Sequence, residues 1–189
     1  MLRPGARRAG ENLQMASLLV ITGPPGAGKS TVAALVAKQS DPSVLIEGDA
    51  FFAFLDQGAI APWLPESHAQ NDVVTSAAAA AAGRFATAYA TVYDGVIGPW
   101  FLATFARATG LATLHYVILM PSVEICVERV VTREGHGFTD EPATRKMHDE
   151  FSRASIAERH VFRDPPDTPD AVADEVLARV QAGALTYQP

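Results

Sequence analysis

The stretch Gly23-Pro24-Pro25-Gly26-Ala27-Gly28-Lys29-Ser30 decides the fold of this 189-residue chain. Its spacing, Gly-x-x-x-x-Gly-Lys-Ser, is the full pattern of a phosphate-binding loop. The apolar run from Ser17 to Thr22 before it predicts a strand, and the sequence from Lys29 to Lys38 after it predicts a helix. The pattern binds nucleotide phosphates when strand, loop and helix follow in that order. This context argues against a glycine-rich turn that matches by chance.

Backbone N–H groups supply most of the chemistry expected of the loop. Glycines let successive N–H groups point inward and form an anion-binding nest, and the helix N-terminus adds partial positive charge. We expect Lys29 to reach the β- and γ-phosphates and Ser30 to bind Mg²⁺ through its hydroxyl. We therefore assign ATP and Mg²⁺ as cofactors, with the nucleotide held by residues 23–30, by Thr31 and by Arg129 of a later helix.

Strand and helix signals alternate along the rest of the chain. The further predicted strands are Val44 to Glu47, Thr91 to Tyr93 and Leu114 to Leu119. The further predicted helices are Ala69 to Tyr89, Pro99 to Thr109, Pro121 to Glu134, Pro142 to Arg159 and Thr168 to Gly183. This alternation is typical of an α/β protein with a parallel sheet. We predict a three-layer P-loop sandwich with a mainly parallel sheet of about five strands and a lid.

The composition and the N-terminal residues narrow the class of protein. Residues 1–14 are rich in Arg and small residues without periodicity, so we expect a disordered tail, a single domain over 15–189, and Met15 as an alternative start. The formal charge of −6 argues against broad nucleic-acid binding, which depends on Lys and Arg. Cys126 is the only cysteine, so no internal disulfide can form. No apolar run approaches the roughly 18 residues of a membrane span, and we expect a cytoplasmic protein without membrane contact.

Two aspartates follow predicted strands at the sheet edge where ligands bind in open α/β folds. Asp49 comes after Glu47-Gly48, and Asp94 precedes Gly95. We expect both to border the γ-phosphate and the acceptor, with Asp49 as the base for an acceptor hydroxyl and Asp94 on the Mg²⁺ side. The alternatives are a helix N-cap for Asp49 and a strand-ending turn for Asp94. Glu47 could take either role or pair with an arginine.

An arginine-bearing segment follows the fourth predicted strand. Arg129 and Arg133 lie one helical turn apart, and Arg145 comes after a stretch that contains glycines. A mobile lid would bring such cations to the transferring phosphoryl group and exclude water. We assign Arg133 to catalysis together with Lys29, and Arg129 to nucleotide binding. The alternative is a solvated basic stripe that pairs with neighbouring glutamates.

Together the loop, Glu47-Gly48-Asp49, Asp94-Gly95 and the arginine-bearing segment resemble the small P-loop kinases of the shikimate, gluconate and chloramphenicol phosphotransferase type. The resemblance covers nearly the whole chain from Ser17 onward. The stretches Ile60 to Pro65 and Asp94-Gly95-Val96 also resemble a bacterial group of AAA-like kinases of unassigned substrate. In the chloramphenicol phosphotransferases an aspartate after the second strand serves as base, and Asp49 matches that position. The resemblance implies an ATP-dependent phosphotransferase with a hydroxyl acceptor.

The acceptor site is expected between Asp49 and Asp94. Arg84 is the only Lys or Arg in that stretch. Its aromatic and polar residues include Phe51, Phe52, Phe54, Trp63, His68, Gln70 and Asn71. Since acceptors with phosphate or several carboxylates need cations, we expect a small neutral compound, sugar-like or an antibiotic, oriented by amides. We assign Phe52 and Trp63 as aromatic contacts. The alternative is that the aromatic side chains form core.

Other functions remain open on these residues. A nucleotide kinase of the adenylate type would carry an arginine soon after Asp94-Gly95, which this chain lacks. A toxin-type kinase of nucleotide sugars and a non-catalytic nucleotide switch are further alternatives. No Asn/Thr-Lys-x-Asp motif for guanine occurs, and the preference for ATP rests on the resemblance. We expect a monomer or homodimer that acts on ATP and one small-molecule acceptor.

Overall fold

The computed structural model describes residues 17–132, 138–163, 165–166 and 168–189. The strands in these ranges are β1 Ser17–Thr22, β2 Ser43–Glu47, β3 Ala90–Asp94, β4 Leu114–Met120, β5 Val161–Arg163 and β6 Thr186–Tyr187. The α-helices are α1 Lys29–Lys38, α2 Asp49–Phe52, α3 His68–Ala86, α4 Pro99–Thr109, α5 Val123–Thr132, α6 Glu141–Arg153 and α7 Pro169–Gln181. The predicted tail 1–14, Met15 and Arg133 lie outside the described residues.

The strands form one sheet in the order β2-β3-β1-β4-β5, and these five run parallel. β6 runs antiparallel to the first part of β4, where Leu114 pairs with Tyr187. The predicted α/β architecture with a mainly parallel sheet is confirmed. In register, Asp94 of β3 lies between Ile21 of β1 and Glu47 of β2. The ends of three strands therefore meet where the phosphate-binding loop leaves β1.

The central strand β1 sends its side chains alternately into two apolar cores. Leu19 and Ile21 belong to the core formed with α1 and α7, whereas Leu18 and Val20 belong to the core formed with α3 and α4. Each of these four residues is at most 1% exposed. Because helices cover both faces of the sheet, its strands are mostly apolar, as expected for a parallel sheet.

Helix α3 packs on α4 through a face of small side chains. The buried residues of this face are Val74, Thr75, Ala78, Ala79, Ala82, Gly83 and Ala86. A Cβ on Gly83 would collide with the backbone carbonyl of Thr109 in α4. At the other end of α3, exposed His68 stacks on Phe101 at the start of α4, with ring centroids 5.2 Å apart. The alanine run is therefore a close helix contact as well as a good helix-forming sequence.

Two short strands near the C-terminal end were not predicted. β5 has three residues and β6 has two, which is too few to show an alternating pattern. The helix predicted to reach Arg159 ends at Arg153, and a 3₁₀ turn over Glu158–His160 leads into β5. These strands exist because β4 offers them a hydrogen-bonding edge. In the part of the chain that the structure describes, no helix has the length and apolar character needed to cross a membrane.

Candidate active site

Three glycines of the phosphate-binding loop have backbone angles that other residues disfavour. The φ values of Gly23, Gly26 and Gly28 are 145°, 78° and 91°. A Cβ on Gly23 would collide with the carbonyl of Leu119 at the end of β4, and one on Gly26 would collide with the backbone of Cys126 in α5. The loop is thus pressed between β4 and α5, so both backbone angle and space require glycine.

The loop ends in the N-terminus of α1, as the motif predicts. The N-cap is Gly28, which has no side chain to occupy the first N–H groups of the helix. Lys29 Nζ donates a hydrogen bond to Pro24 O at 3.1 Å, and Ala27 N donates to the same carbonyl at 3.2 Å. The lysine charge therefore lies over the loop, next to uncapped N–H groups. This combination favours an anion.

Asp94 lies beside the loop at the end of β3. It is 8% exposed, and the side chain of Ser30 lies close enough to its carboxylate to affect its pKa by hydrogen bonding. Burial raises the pKa of Asp94 above its ordinary value, and the bond from Ser30 and the charge of Lys29 oppose the rise. The charges of Asp49 and Glu47 add to it. The structure therefore brings together both residues predicted to hold the metal.

Asp49 is exposed and is the first residue of α2. The N-cap of α2 is Gly48, and no side chain caps this helix, so the alternative of an N-capping role for Asp49 is wrong. Gly48 N donates a hydrogen bond to Asp94 O at 2.7 Å. Asp49 thus follows directly on a residue tied to the strand that carries Asp94. Its exposure leaves the carboxylate open to an incoming molecule.

The pair Ser30 and Asp94 fits a magnesium ion at the loop. Mg²⁺ prefers oxygen ligands and keeps several waters, so one or two protein oxygens and phosphate oxygens are a sufficient set. The hydroxyl of Ser30 and the carboxylate of Asp94 already lie side by side. A buried carboxylate whose pKa is raised is also stabilised by a nearby cation.

Arg129 of α5 lies over the phosphate-binding loop. Its Nη1 donates a hydrogen bond to Gly26 O at 3.3 Å. Beside it opens a cavity of about 270 Å³ whose lining includes Thr31, Val32, Leu119, Arg129, Pro165 and Pro166. The mainly apolar slot next to the loop suits a flat nucleobase. Arg145, in contrast, lies on α6 and pairs with Glu141 at 2.9 Å. Predicted Arg133 cannot be placed, because it lies outside the described residues.

Aromatic side chains beyond Asp49 are only partly covered. Phe52 is half-buried, Trp63 is 41% exposed and Phe54 is 77% exposed. The alternative of a core position is therefore wrong for Phe54. Trp63 packs edge to face on Phe138, with ring centroids 5.2 Å apart. Since Phe138 comes just before α6, the aromatic loop after α2 is joined to the segment in front of that helix.

The amides expected to orient an acceptor hold a loop. Gln70 Nε2 donates to Ile60 O at 2.7 Å, and Gln70 Oε1 accepts a hydrogen bond from Ile60 N at 2.8 Å. Asn71 Nδ2 donates to Pro62 O at 2.7 Å. These bonds fix residues 60–62 against the first turn of α3. Both amides are thus engaged by the loop, while Asn71 Oδ1 is buried without a hydrogen-bond partner among the described residues. Binding of the acceptor by these amides stays a prediction.

Tyr93 is the residue of the site that sequence reasoning missed. It directly precedes Asp94 in β3 and is 3% exposed. Burial raises the pKa of Tyr93, and the charges of Asp49 and Asp94 raise it further. Only one feature of the sequence bears on Tyr93: because side chains alternate along a strand, Tyr93 and Asp94 point to opposite faces of β3. Its closeness to Asp49 depends on the pairing of β2 with β3, which the sequence does not give.

Solved structures of other proteins share this fold. The tunicamycin resistance protein of Deinococcus radiodurans gives a TM-score of 0.64 at 17% identity, and the match covers 87% of this chain and 95% of that one. A gluconokinase from Sinorhizobium meliloti 1021 gives 0.60 at 21% identity, over 90% and 96%. A shikimate kinase from Acinetobacter baumannii in complex with shikimate gives 0.60 at 18% identity, over 88% and 94%. The predicted P-loop kinase fold is confirmed.

Comparison with known sequences gives the family. No curated protein matches the chain. Residues 18–157 match the model of a family described as AAA domain. This range holds the loop, both aspartates and Arg129, and also Ile60 to Pro65 and Asp94-Gly95-Val96, the stretches that resemble the AAA-like kinases. Because the match covers most of the chain, the protein belongs to this AAA domain family.

Proposed function

We propose that the protein is an ATP-dependent phosphotransferase that moves the γ-phosphate to a hydroxyl of a small neutral molecule. One observation carries the proposal: Ser30 of the loop lies beside Asp94, and the backbone carbonyl of Asp94 holds the residue before Asp49. Phosphate-binding loop, metal-side carboxylate and exposed carboxylate therefore share one edge of the sheet. A nucleotide-binding switch has no need of the exposed carboxylate.

In the proposed reaction Asp49 accepts the proton of the acceptor hydroxyl while the hydroxyl oxygen attacks the γ-phosphorus. The bond from that phosphorus to the bridging oxygen breaks, and ADP leaves. Lys29, the loop N–H groups and Arg129 hold the nucleotide, and Arg133 is proposed to stabilise the transferring group. When bound, Mg²⁺ neutralises charge on the phosphates, and Ser30 and Asp94 are the residues that would hold it.

We propose a neutral acceptor because lysine and arginine side chains are scarce in the stretch that is expected to bind it. Between Asp49 and Asp94 the only Lys or Arg is Arg84. It is exposed and stands 16 residues after His68, which lies at the site end of α3. At 1.5 Å per residue this is about 24 Å along the helix. Half-buried Phe52 and partly exposed Trp63 supply apolar surface instead.

A panel of acceptors tests the substrate class. Neutral sugars, polyols and hydroxylated antibiotics are compared with phosphorylated and polycarboxylate compounds, and ADP release from ATP with Mg²⁺ is measured. We expect turnover only with neutral members. Micromolar binding of phosphorylated acceptors in calorimetry, without any response to neutral ones, would contradict the proposed class.

Asp49→Asn tests the role of the base. We expect phosphoryl transfer to fall by about 10²–10⁴-fold, because a general base typically contributes that factor. ATP affinity should stay within about twofold, since Asp49 is assigned to the acceptor's proton. Asp56→Asn is the matched control: Asp56 is an exposed aspartate nearby, bonded to Gln57, and its variant should keep full activity. Full activity of Asp49→Asn, or loss of ATP binding in that variant, would remove Asp49 from the catalytic role.

A further inference from the structure

The short helix that carries Asp49 is only weakly anchored, through partly buried Phe51, which packs against the core. None of the four residues of α2 is buried. Gly48, directly before it, is buried and is held by β3. One contact is the hydrogen bond from Gly48 N to Asp94 O at 2.7 Å. The other is the ring of Tyr93, which lies against the α-carbon side of Gly48.

The ring of Tyr93 explains why position 48 holds glycine. A Cβ on Gly48 would lie 2.7 Å from Tyr93 Cζ and closer still to the phenol oxygen. A Cβ on Gly95 would lie 2.8 Å from Tyr93 Cε1. The backbone angles of Gly48, φ −61° and ψ −35°, are ones that any residue adopts. Space, and not backbone conformation, therefore excludes a side chain at position 48.

The core fixes the ring from the other side. Tyr93 packs edge to face on Phe105, with centroids 4.8 Å apart, and Phe105 is fully buried. Contacts thus run from Phe105 in the core, through the ring of Tyr93, to the two glycines that adjoin Asp49 and Asp94. Among the described residues none accepts a hydrogen bond from the phenol, so contact of the ring carries the support.

We propose that Tyr93 is a positioning residue: its ring supports Gly48 and so fixes the carboxylate of Asp49 relative to Asp94 and the phosphate-binding loop. This inference rests on the proposed function, in which Asp49 is the base. Displacement of a reacting group by about 1 Å can cost about 100-fold in rate. Because Tyr93 acts through Gly48 and not through the loop, its loss should lower turnover and leave nucleotide affinity unchanged.

The test is a double-mutant cycle on the full chain with Gly48→Ala, Tyr93→Leu and the double variant. ADP release is measured with Mg²⁺, ATP and the fastest acceptor of the panel, and also with water alone. We expect Gly48→Ala to lower kcat by about 10–100-fold with the KM for ATP within about twofold. The double variant should lose less than the product of the single losses, since leucine leaves room for the added methyl. The melting temperature of the double variant should likewise fall by less than the two single decreases added together.

Two further variants test whether the effect comes from the ring of Tyr93. One removes only the phenol hydroxyl, and the other lowers stability at a distant core position. Tyr93→Phe keeps the ring and should retain kcat within about threefold. Phe162→Leu changes a residue that is 4% exposed in the other core, and should lower the melting temperature without lowering kcat. A parallel fall of kcat and stability in both Phe162→Leu and Tyr93→Leu would show a merely structural effect and overturn the proposal.

The remaining outcomes tell the two proposals apart. An active wild type whose Gly48→Ala variant keeps its kcat, or a strictly additive cycle, overturns the positioning role alone. A wild type that releases no ADP with any acceptor overturns the proposed function, and the catalytic meaning of Tyr93 with it.

Discussion

The nucleotide side of the site, residues 23–31, and its acceptor side, residues 49–64, are held by the protein in different ways. The loop on the nucleotide side is pressed against backbone atoms of Leu119 and Cys126, and α1 behind it buries four of its ten residues. On the acceptor side α2 buries none of its residues, and Phe54 is 77% exposed.

The difference matches what each side is proposed to bind. A triphosphate offers the same oxygens to every enzyme, so a rigid nest of N–H groups serves it well. Acceptors vary in shape, and segments that contribute little to the core can change without loss of the fold. The acceptor side is therefore held by a few anchoring contacts. These are the hydrogen bonds of Gln70 and Asn71 and the ring of Tyr93 against Gly48.

On the nucleotide side the largest effect should come from Lys29→Ala. Removal of one preorganised donor to the transferring phosphate typically lowers turnover by about 10²–10³-fold. ADP release and ATP binding by calorimetry measure the loss. Lys38→Ala, at the exposed last turn of the same helix, is the control and should behave as wild type. Equal activities of the two variants would remove the lysine from the proposed mechanism.

A comparison of two glycines tests how tightly the nucleotide side is packed. Gly26 and Gly58 have similar φ values of 78° and 72°, but only Gly26 faces other atoms, the backbone of Cys126. Gly58→Ala should cost about 1–2 kcal/mol of unfolding free energy, from backbone strain. Gly26→Ala should cost at least about 1 kcal/mol more, from overpacking, and should weaken ATP binding. Urea unfolding gives both values, and equal costs would mean that α5 does not press on the loop.

Asp94→Asn tests the cost of the buried charge between the two sides. Burial raises the pKa of Asp94, so at neutral pH the folded state carries a carboxylate that it disfavours. The amide should therefore raise the melting temperature of the protein free of Mg²⁺ and nucleotide while activity is lost. Because the folded pKa lies above the unfolded one, the destabilisation is present at high pH and disappears as pH falls through the folded pKa. The gain should thus shrink as the pH is lowered towards the ordinary pKa of aspartate, about 4.

The control for this prediction is Asp72→Asn, which changes an exposed aspartate of α3 and should leave the melting temperature unchanged. A gain that stays constant or grows on acidification would contradict the assignment to the buried carboxylate.

The smallest effect is expected for Phe54→Ala on the acceptor side. A side chain that is 77% exposed loses little burial, so the unfolding free energy should change by no more than about 0.5 kcal/mol. Phe105→Ala, in the core beneath Tyr93, should cost about 3–5 kcal/mol by the same measurement. A cost above about 1.5 kcal/mol for Phe54→Ala would mean that the acceptor side is packed as tightly as the loop.

The sequence predicted the nucleotide side well, because its signals are local. Strand β1, the loop and α1 have the predicted bounds Ser17–Thr22, 23–28 and Lys29–Lys38. The two aspartates were placed at strand ends by the same pattern reasoning, and the structure brings Asp94 to Ser30. Strands β5 and β6 escaped prediction, since two or three residues carry no periodicity and pair only because β4 is present.

The acceptor side was predicted less well, because composition does not say which partner a side chain finds. Gln70 and Asn71 were expected to meet an acceptor, but their amides bond to Ile60 and Pro62. Phe54, given a core position as the alternative, is exposed. Each outcome depends on how the loop before α3 folds back on that helix.

By itself the sequence determined that a strand, a glycine-rich loop and a helix form a phosphate site, since neighbours in the chain supply all of its N–H groups. Only the tertiary structure decided which residues press on that loop and which support Asp49. Cys126 stands 100 positions after Gly26, and Tyr93 stands 45 positions after Gly48. Contacts over such separations arise from the strand order β2-β3-β1-β4, which joins segments that no local pattern connects.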